Sequence, residues 1–316
     1  MSVMKQNILK ILIVVALLSS QNIKVLAQST ANFMQYVLNP MSINPAYAGG
    51  QEALNISLFY GKQWTGIKGS PQNIAFSTDA PFLNKKLGLG LMLVNEEYGV
   101  SKQNEISTNY AFRILFPRSV LSFGLGASLK LTNSTYSDLT TLDPGDEIYL
   151  QDSRTYTLAN FTFGAHYAIK NFFVGFSIPQ LLNYKFDIDQ DEYLYVNNFN
   201  KYRYLLNTGY KIRAGNSLKV IPSLLLQYSK FDTNNSILYD LNTLICYQDL
   251  ICLGGSYQND RSIATLFQIN PNKQISIAYS FNIETSQLDR FTNGSHQILL
   301  KYIFKYKVYA PNSLIF

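Results

Sequence analysis

The sequence predicts an all-β fold, a transmembrane antiparallel β-barrel of about 14 strands with an N-terminal, plug-like segment. Three observations predict it. The first is the stretch Leu121-Ser122-Phe123-Gly124-Leu125-Gly126-Ala127-Ser128-Leu129-Lys130-Leu131, in which every odd position is apolar and every even position is small or polar. A helix would space its apolar residues three or four apart, so this is the period of a strand. The second is that the pattern recurs along most of the chain, with an apolar face rich in Phe, Tyr, Leu and Ile opposite a polar, glycine-rich one. The third is composition. Aromatic residues make up 14% of the chain and charged residues only 15%, and after the leader no apolar run is long enough for a membrane helix.

The elements follow in order. Residues 1–27 read as a secretory signal peptide. Lys5 and Lys10 start it, 11–18 is a short apolar run, and Val25-Leu26-Ala27 is a small-residue cleavage site before Gln28. The net charge of +6 includes Lys5, Lys10 and Lys24 of that leader. With no dense Lys/Arg block either, nucleic acid is not expected as a partner. Residues 28–50 are not strand-like. Asn39-Pro40, Asn44-Pro45 and Gly49-Gly50 are turn and breaker signals. Residues 51–316 form the barrel.

Strands are expected at 53–64 and 72–80. The turn Pro81–Lys85 leads to 86–96 and 104–115, and Phe116–Arg118 leads to 119–132. After the long connection 133–156 come 157–169, the turn Lys170-Asn171 and 172–182. A second long connection, 183–200, precedes 201–213, the turn Ala214–Asn216 and 217–230. Then follow 236–247, the turn Gln248–Leu250, 251–258, 261–270, the turn Pro271–Lys273 and 274–284. The connection 285–294 precedes the last strand, 295–307. The even count suits a bacterial barrel, and the connections test it. If the N-terminus is periplasmic, outer loops and inner turns alternate, and the outer ones should be longer. All six turns are short, and the three longest connections fall on the other side. The weak point of that parity is the short connection at Asn259-Asp260.

The faces can be read from the alternation. Phe123, Leu125 and Leu129 should meet lipid, and Ser122, Gly126 and Ser128 the lumen. In 157–169, Phe161, Phe163, Ala165 and Tyr167 oppose Asn160, Thr162, Gly164 and His166. In 274–284, Ile275, Ile277, Tyr279, Phe281 and Ile283 oppose Gln274, Ser276, Ser280 and Asn282. A barrel of this size tilted at about 40° has a backbone radius of roughly 14 Å, more than side chains alone can fill. The segment 28–50 is the candidate plug or lid, with Tyr36, Asn39, Pro40, Asn44, Pro45, Tyr47 and Gly49 as its structural motif. Proline fixes φ and Asn caps turns, so the segment can hold one shape without regular structure. Inward glycines such as Gly88, Gly90, Gly124 and Gly126 leave room for a second backbone.

Other residues invite sharper readings. Cys246 and Cys252 should face each other across a hairpin, as a disulfide in an oxidising compartment or as two buried thiols. Trp64, beside Lys62, sits near the outer end of the first strand, as a surface contact or an aromatic-girdle residue. Asp187, Asp189, Asp191 and Glu192 resemble the start of a calcium loop, but Glu192 stands where that loop needs Gly. With Asp143, Asp146, Glu147 and Asp152 they read as solvated acidic loops. No metal set and no cofactor is expected. Ser295 and His296, as sequence neighbours, point to opposite faces of a strand and cannot pair as nucleophile and base there. The protein is not expected to be an enzyme.

Several segments together resemble one family. They are Gln35-Tyr36 with Asn39-Pro40-Met41-Ser42-Ile43-Asn44-Pro45-Ala46-Tyr47-Ala48-Gly49, then Lys62-Gln63-Trp64, Gly69-Ser70-Pro71, Lys85-Lys86-Leu87-Gly88-Leu89-Gly90-Leu91, Asn95-Glu96 and Gly99. Near the end come Gln268-Ile269-Asn270-Pro271, Tyr279-Ser280-Phe281 and Gly294-Ser295-His296-Gln297-Ile298. In this order and spacing the chain resembles the PorP/SprF outer-membrane proteins of the Bacteroidetes type IX secretion and gliding-motility system. The last residues, Pro311 to Phe316, depart from the family's Pro-Arg-aromatic ending. The resemblance implies a barrel in the outer membrane of a Gram-negative, Bacteroidetes-like bacterium. Its expected role is to bind and anchor, or assist export of, a large secreted adhesin-like protein with a type-B C-terminal domain. Periplasmic or lipoprotein components of the system and outer-membrane lipid are the other implied partners. The competing reading is a channel for small or hydrophobic solutes. For partner binding, the residues expected in the long loops are Tyr136, Tyr149, Tyr193, Tyr195, Phe199 and Phe291, an aromatic load unusual for loops that meet only solvent.

Overall fold

The computed structural model describes residues 33–51, 53–138, 152–187, 190–196, 198–231, 234–259, 262–285 and 287–304. The expected signal peptide, Tyr149 and the acidic residues 143, 146, 147 and 189 lie outside them. The described residues form a closed antiparallel barrel of 14 strands, one of them interrupted into two pieces. The wall begins with β1 (Leu54–Lys62), β2 (Gln72–Phe82), β3 (Leu87–Tyr98), β4 (Ser101–Leu115), β5 (Ser119–Ser134), β6 (Tyr156–Ile169) and β7 (Phe172–Ile178). Outside the wall, β8 (Tyr184–Asp187) and β9 (Glu192–Tyr195) form a separate hairpin. The wall resumes with β10 (Tyr204–Tyr210) and β11 (Ile212–Ala214). It continues through β12 (Leu218–Phe231), β13 (Asn234–Tyr247), β14 (Ile251–Gln258), β15 (Ser262–Ile269), β16 (Ile275–Glu284) and β17 (Ser295–Phe304). β17 pairs with β1, and β10 pairs with both β7 and β12, so the sheet has no free edge there. Closure matters because an unpaired edge would leave backbone groups unsatisfied in hydrocarbon.

Among the described residues the alternation of the two sides holds, including β14 and β15, whose pairing is regular on either side of the short connection after Asn259. The β3–β4 connection on the expected outer side is nevertheless only Gly99-Val100, as short as the turns opposite. Several boundaries differ from expectation. β1 stops at Lys62, and Trp64 lies beyond it with φ 47°. Its N–H donates to Ser295 Oγ at 3.1 Å. β7 stops at Ile178, ahead of Pro179, instead of running to 182. β10 and β11 lie end to end on one register along β12, with Gly209 opposite Ser223 and Ile212 opposite Val220. The stretch without pairing to β12, Tyr210 and Lys211, lies opposite Pro222 and Ile221, and Pro222 has no N–H to donate to the ladder. The connection 183–200, expected as plain loop, contains the hairpin β8–β9.

The alternation predicts facing residue by residue. On β5, Phe123, Leu125 and Leu129 are exposed on the outer surface, whereas Ser122 is buried inside. On β16, Ile275, Ile277, Tyr279 and Ile283 point outward, and Ala278 and Ser280 are buried inward. Of the two readings of the cysteines, the disulfide is the one found. Cys246 and Cys252 are directly paired across β13 and β14 and bonded to each other, both on the buried inner face.

Candidate functional site

Two regions carry the expected site residues, the N-terminal segment and the end of the barrel with the long loops. The segment opens as a short helix, α1 (Phe33–Leu38), followed by two 3-10 turns, Pro40–Ser42 and Pro45–Tyr47. Each turn starts on a proline, whose fixed φ suits the first helical position and whose missing N–H costs nothing there. Asn44 Oδ1 caps the second turn by accepting from Ala46 N at 2.9 Å.

Several other polar groups of the segment bond to the barrel wall. Asn44 Nδ2 donates to the carbonyls of Ala165 and Phe176 at 3.0 and 3.2 Å, and Ser177 Oγ donates to Ile43 O at 2.7 Å. Asn39 Nδ2 donates to Ser77 Oγ at 2.7 Å. Gly49 N donates to Asp79 Oδ2 at 2.7 Å, and φ at Gly49 is 63°, a region that disfavours any side chain. Arg113 donates to the carbonyls of Ala48 and Lys85, and Lys301 Nζ to Leu38 O at 3.3 Å. Tyr36 donates to Asp240 Oδ2 at 3.0 Å and accepts from Asn242 Nδ2 at 2.8 Å. Burial, aided by the Asp240 carboxylate, holds the Tyr36 hydroxyl well above its usual range, so it stays a donor. Tyr47 packs its ring against His166, centroids 4.3 Å apart. Its buried hydroxyl has no partner among the described residues, and burial pushes it upward too.

These contacts reach β2, β4, β6, β7, β13 and β17, so the segment crosses from one wall to another. Apolar packing follows the same course. Met34, Tyr36 and Ile43 join the inward Phe59, Leu205, Leu225, Leu266 and Leu299 in one buried cluster. Glycines admit the backbone. A Cβ on Gly88 would collide with the Ala48 carbonyl, one on Gly124 with the Pro45–Ala46 peptide, one on Gly90 with Met41 Sδ and one on Gly164 with Asn44. Gly126 plays no such part. A Cβ there would meet Asn109 and Thr162 of the wall itself. Sequence reading did not single out Asp79, Arg113, Asp240 or Lys301. The available signal was a charge in the inward register of a strand, which needs a partner.

At the long-loop end, the hairpin β8–β9 gathers aromatics. Tyr156, Phe186 and Tyr193 form a triangle with centroids 5.0 to 5.6 Å apart. Arg154 stands 5.2 Å over the Tyr156 ring and pairs with Asp191. Asp152 accepts from Ser137 N at 2.9 Å. Among the described residues no group of carboxylates, His or Cys is arranged to hold a metal. Of the aromatics expected at a partner surface, Tyr136 and Tyr193 are half-buried in the loops. Tyr195, Phe199 and Phe291 are 53%, 68% and 72% exposed. Ser295 is buried facing inward, whereas His296 sits beside Tyr279 and Phe281 on the outer surface, its Nδ1 2.7 Å from the Tyr279 hydroxyl.

The model of one protein family, the type IX secretion system membrane protein PorP/SprF, matches residues 25–302. This chain belongs to the PorP/SprF family. The PorP/SprF barrel described above is accordingly an outer-membrane protein of a type IX secretion system. None of the curated proteins matches it. Solved barrels resemble it in outline. The outer membrane protein Omp33 of Acinetobacter baumannii is 10% identical, with 81% of this chain and 100% of that one covered and a TM-score of 0.48. The toluene transporter TbuX of Ralstonia pickettii is 10% identical, with 84% and 93% covered and a TM-score of 0.49. The toluene transporter TodX of P. putida is 9% identical, with 85% and 94% covered and a TM-score of 0.47. At such identities and scores these neighbours say nothing of what this PorP/SprF barrel binds.

Proposed function

We propose that this PorP/SprF barrel binds a large type IX-secreted protein, adhesin-like and carrying a type-B C-terminal domain, at the cell surface, anchoring it or assisting its export. The long-loop end is the docking face, and the N-terminal segment is a plug that keeps the lumen shut. The observation that supports it is the pairing of an N-terminal segment packed against the inner faces of several strands with large exposed aromatics at one end. A solute channel needs an unobstructed path, and the contacts of α1 and the two 3-10 turns with strands on several sides of the barrel favour closure over conduction. Tyr195 at the end of β9, and Phe199 and Phe291 in the loops, stand on connections positioned by the wall, where binding residues concentrate.

Affinity purification from the native membrane tests the reading. A large secreted protein should co-purify with the intact barrel, and Phe199→Ala with Phe291→Ala should lower its retention by about tenfold or more. Full retention by the double variant would remove these aromatics from the interface, and purification with no secreted protein bound would remove the anchoring role.

Orientation has its own test. Cysteines placed at Lys185 and Asp289, on the wild-type disulfide background, should react with an impermeant label on intact cells lacking the partner. Cysteines at Asn84 and Lys273 should react only after the cells are broken. The reverse pattern would invert the barrel.

A further inference from the structure

The two ends of the barrel differ in charge. At the long-loop end, Asp152, Asp187, Asp191, Glu192 and Asp289 are interspersed with Arg154, Lys185, Lys201 and Arg290. The short-turn end is basic throughout. Lys85 and Lys86 occupy the β2–β3 turn, Arg118 the β4–β5 turn and Lys170 the β6–β7 turn, all exposed. Lys211 follows between β10 and β11, Arg213 in β11 and Lys273 in the β15–β16 turn, exposed as well. Asp249 is the one carboxylate in the six turn sequences, and Lys219 neutralises it in an ion pair.

The cations of the β2–β3, β4–β5 and β6–β7 turns each adjoin a large exposed apolar residue. Leu83, 70% exposed, precedes Lys85 and Lys86. Phe116, 49% exposed, precedes Arg118. Phe172 follows Lys170. Lys211 and Arg213 alternate with the outward Ile212 and so stand on the lumen side of the rim, Lys211 near His166, and they add to its charge without facing lipid. In an outer-membrane barrel, exposed Leu, Phe and Ile at the strand ends mark the edge of the hydrocarbon band. Cations one or two residues further along therefore stand at the depth of the lipid headgroups, where long Lys and Arg side chains keep their stems in the apolar layer and their charges at the phosphates.

We propose that the short-turn rim is a binding surface for anionic glycerophospholipid headgroups of the adjoining leaflet. The ring of cations selects them from zwitterionic lipid. The charge is complementary, its depth matches the phosphates, and it runs round the rim instead of forming one patch, as a lipid annulus requires. The surface potential of an anionic leaflet attracts each such residue separately and weakens with salt. That the adjoining leaflet is the inner one rests on the orientation proposed above; the headgroup preference does not.

Spin-labelled lipids test this with the full-length barrel in mixed vesicles, by measuring the relative association constant of phosphatidylglycerol over phosphatidylcholine at the protein boundary. The wild-type chain should prefer phosphatidylglycerol at low salt and lose the preference at high salt. The variant Lys85→Gln, Lys86→Gln, Arg118→Gln, Lys170→Gln should lower the preference by about tenfold or more. The variant Lys68→Gln, Lys185→Gln, Lys201→Gln at the other end should leave it unchanged. Heat-modifiable migration of each variant checks that its barrel is folded. Absence of a wild-type preference, or its survival in the short-turn variant, would overturn the inference. So would a short-turn variant that keeps its lipid preference but loses a periplasmic protein from native membranes, since the rim would then be a protein-docking face.

Discussion

A variant lacking residues 30–48 is expected to fold as the same barrel and to conduct ions on the order of tenfold better than the intact chain in single-channel recordings. The deletion removes α1, both 3-10 turns and the Met34, Tyr36 and Ile43 side chains that reach the inner faces of several strands. A lumen of roughly 14 Å backbone radius cannot be refilled by the wall's own side chains. The strands keep their full backbone ladder, because each pairs only with its neighbours in the wall. Two substitutions reach the same end with the chain intact. Gly88→Val and Gly124→Val put side-chain atoms where the Ala48 carbonyl and the Pro45–Ala46 peptide lie, and should raise conductance by displacing the segment. A deletion barrel that is heat-modifiable yet conducts no better than the parent would place the closure elsewhere.

Leu125→Arg is expected to cost about 2–4 kcal/mol of barrel stability, and Ser128→Arg much less. Leu125 is 61% exposed on the outer surface midway along β5, where a guanidinium would have to sit in hydrocarbon. Ser128 is in the opposite register, facing the lumen. There Lys130 of the same face already pairs with Glu105 at 3.7 Å, so a further cation finds polar company. The difference is read from denaturant midpoints of the two variants refolded into the same lipid. Equal losses would mean that the two faces are assigned wrongly.

How much of this was legible in the sequence differs between wall and interior. In β5 and β16 the alternation alone assigns every side chain to lipid or lumen, because a strand repeats every two residues and a one-residue slip would turn the whole apolar face inward. The boundaries were harder to read where the signal is a single atom. Pro222 interrupts the ladder between β10 and β11 through a missing N–H, yet the apolar pattern runs on through it. The hairpin β8–β9 is not legible in the sequence because its few residues mix Tyr and Phe with Lys, Asp and Glu, so no clean alternation marks it. Turn chemistry and inward glycines pointed to the segment from Asn39 to Gly49 and to Gly88, Gly90 and Gly124. The pattern treated Gly126 as equivalent, but the segment approaches the wall on one side of that position only.

The sequence by itself therefore determined the barrel, its strand parity, the facing of its side chains and the family to which the chain belongs. These rest on periodicity, turn residues and motif order, which are properties of neighbours along the chain. Only the tertiary structure decided that Asp79, Arg113, Asp240 and Lys301 hold the N-terminal segment, and that Cys246 and Cys252 are bonded. It also decided which loop aromatics stand clear of the surface. The physical reason is the same in each case. Tyr36 and Asp240 are 204 positions apart, and closing the sheet into a cylinder brings such residues together by a geometry that no local pattern encodes.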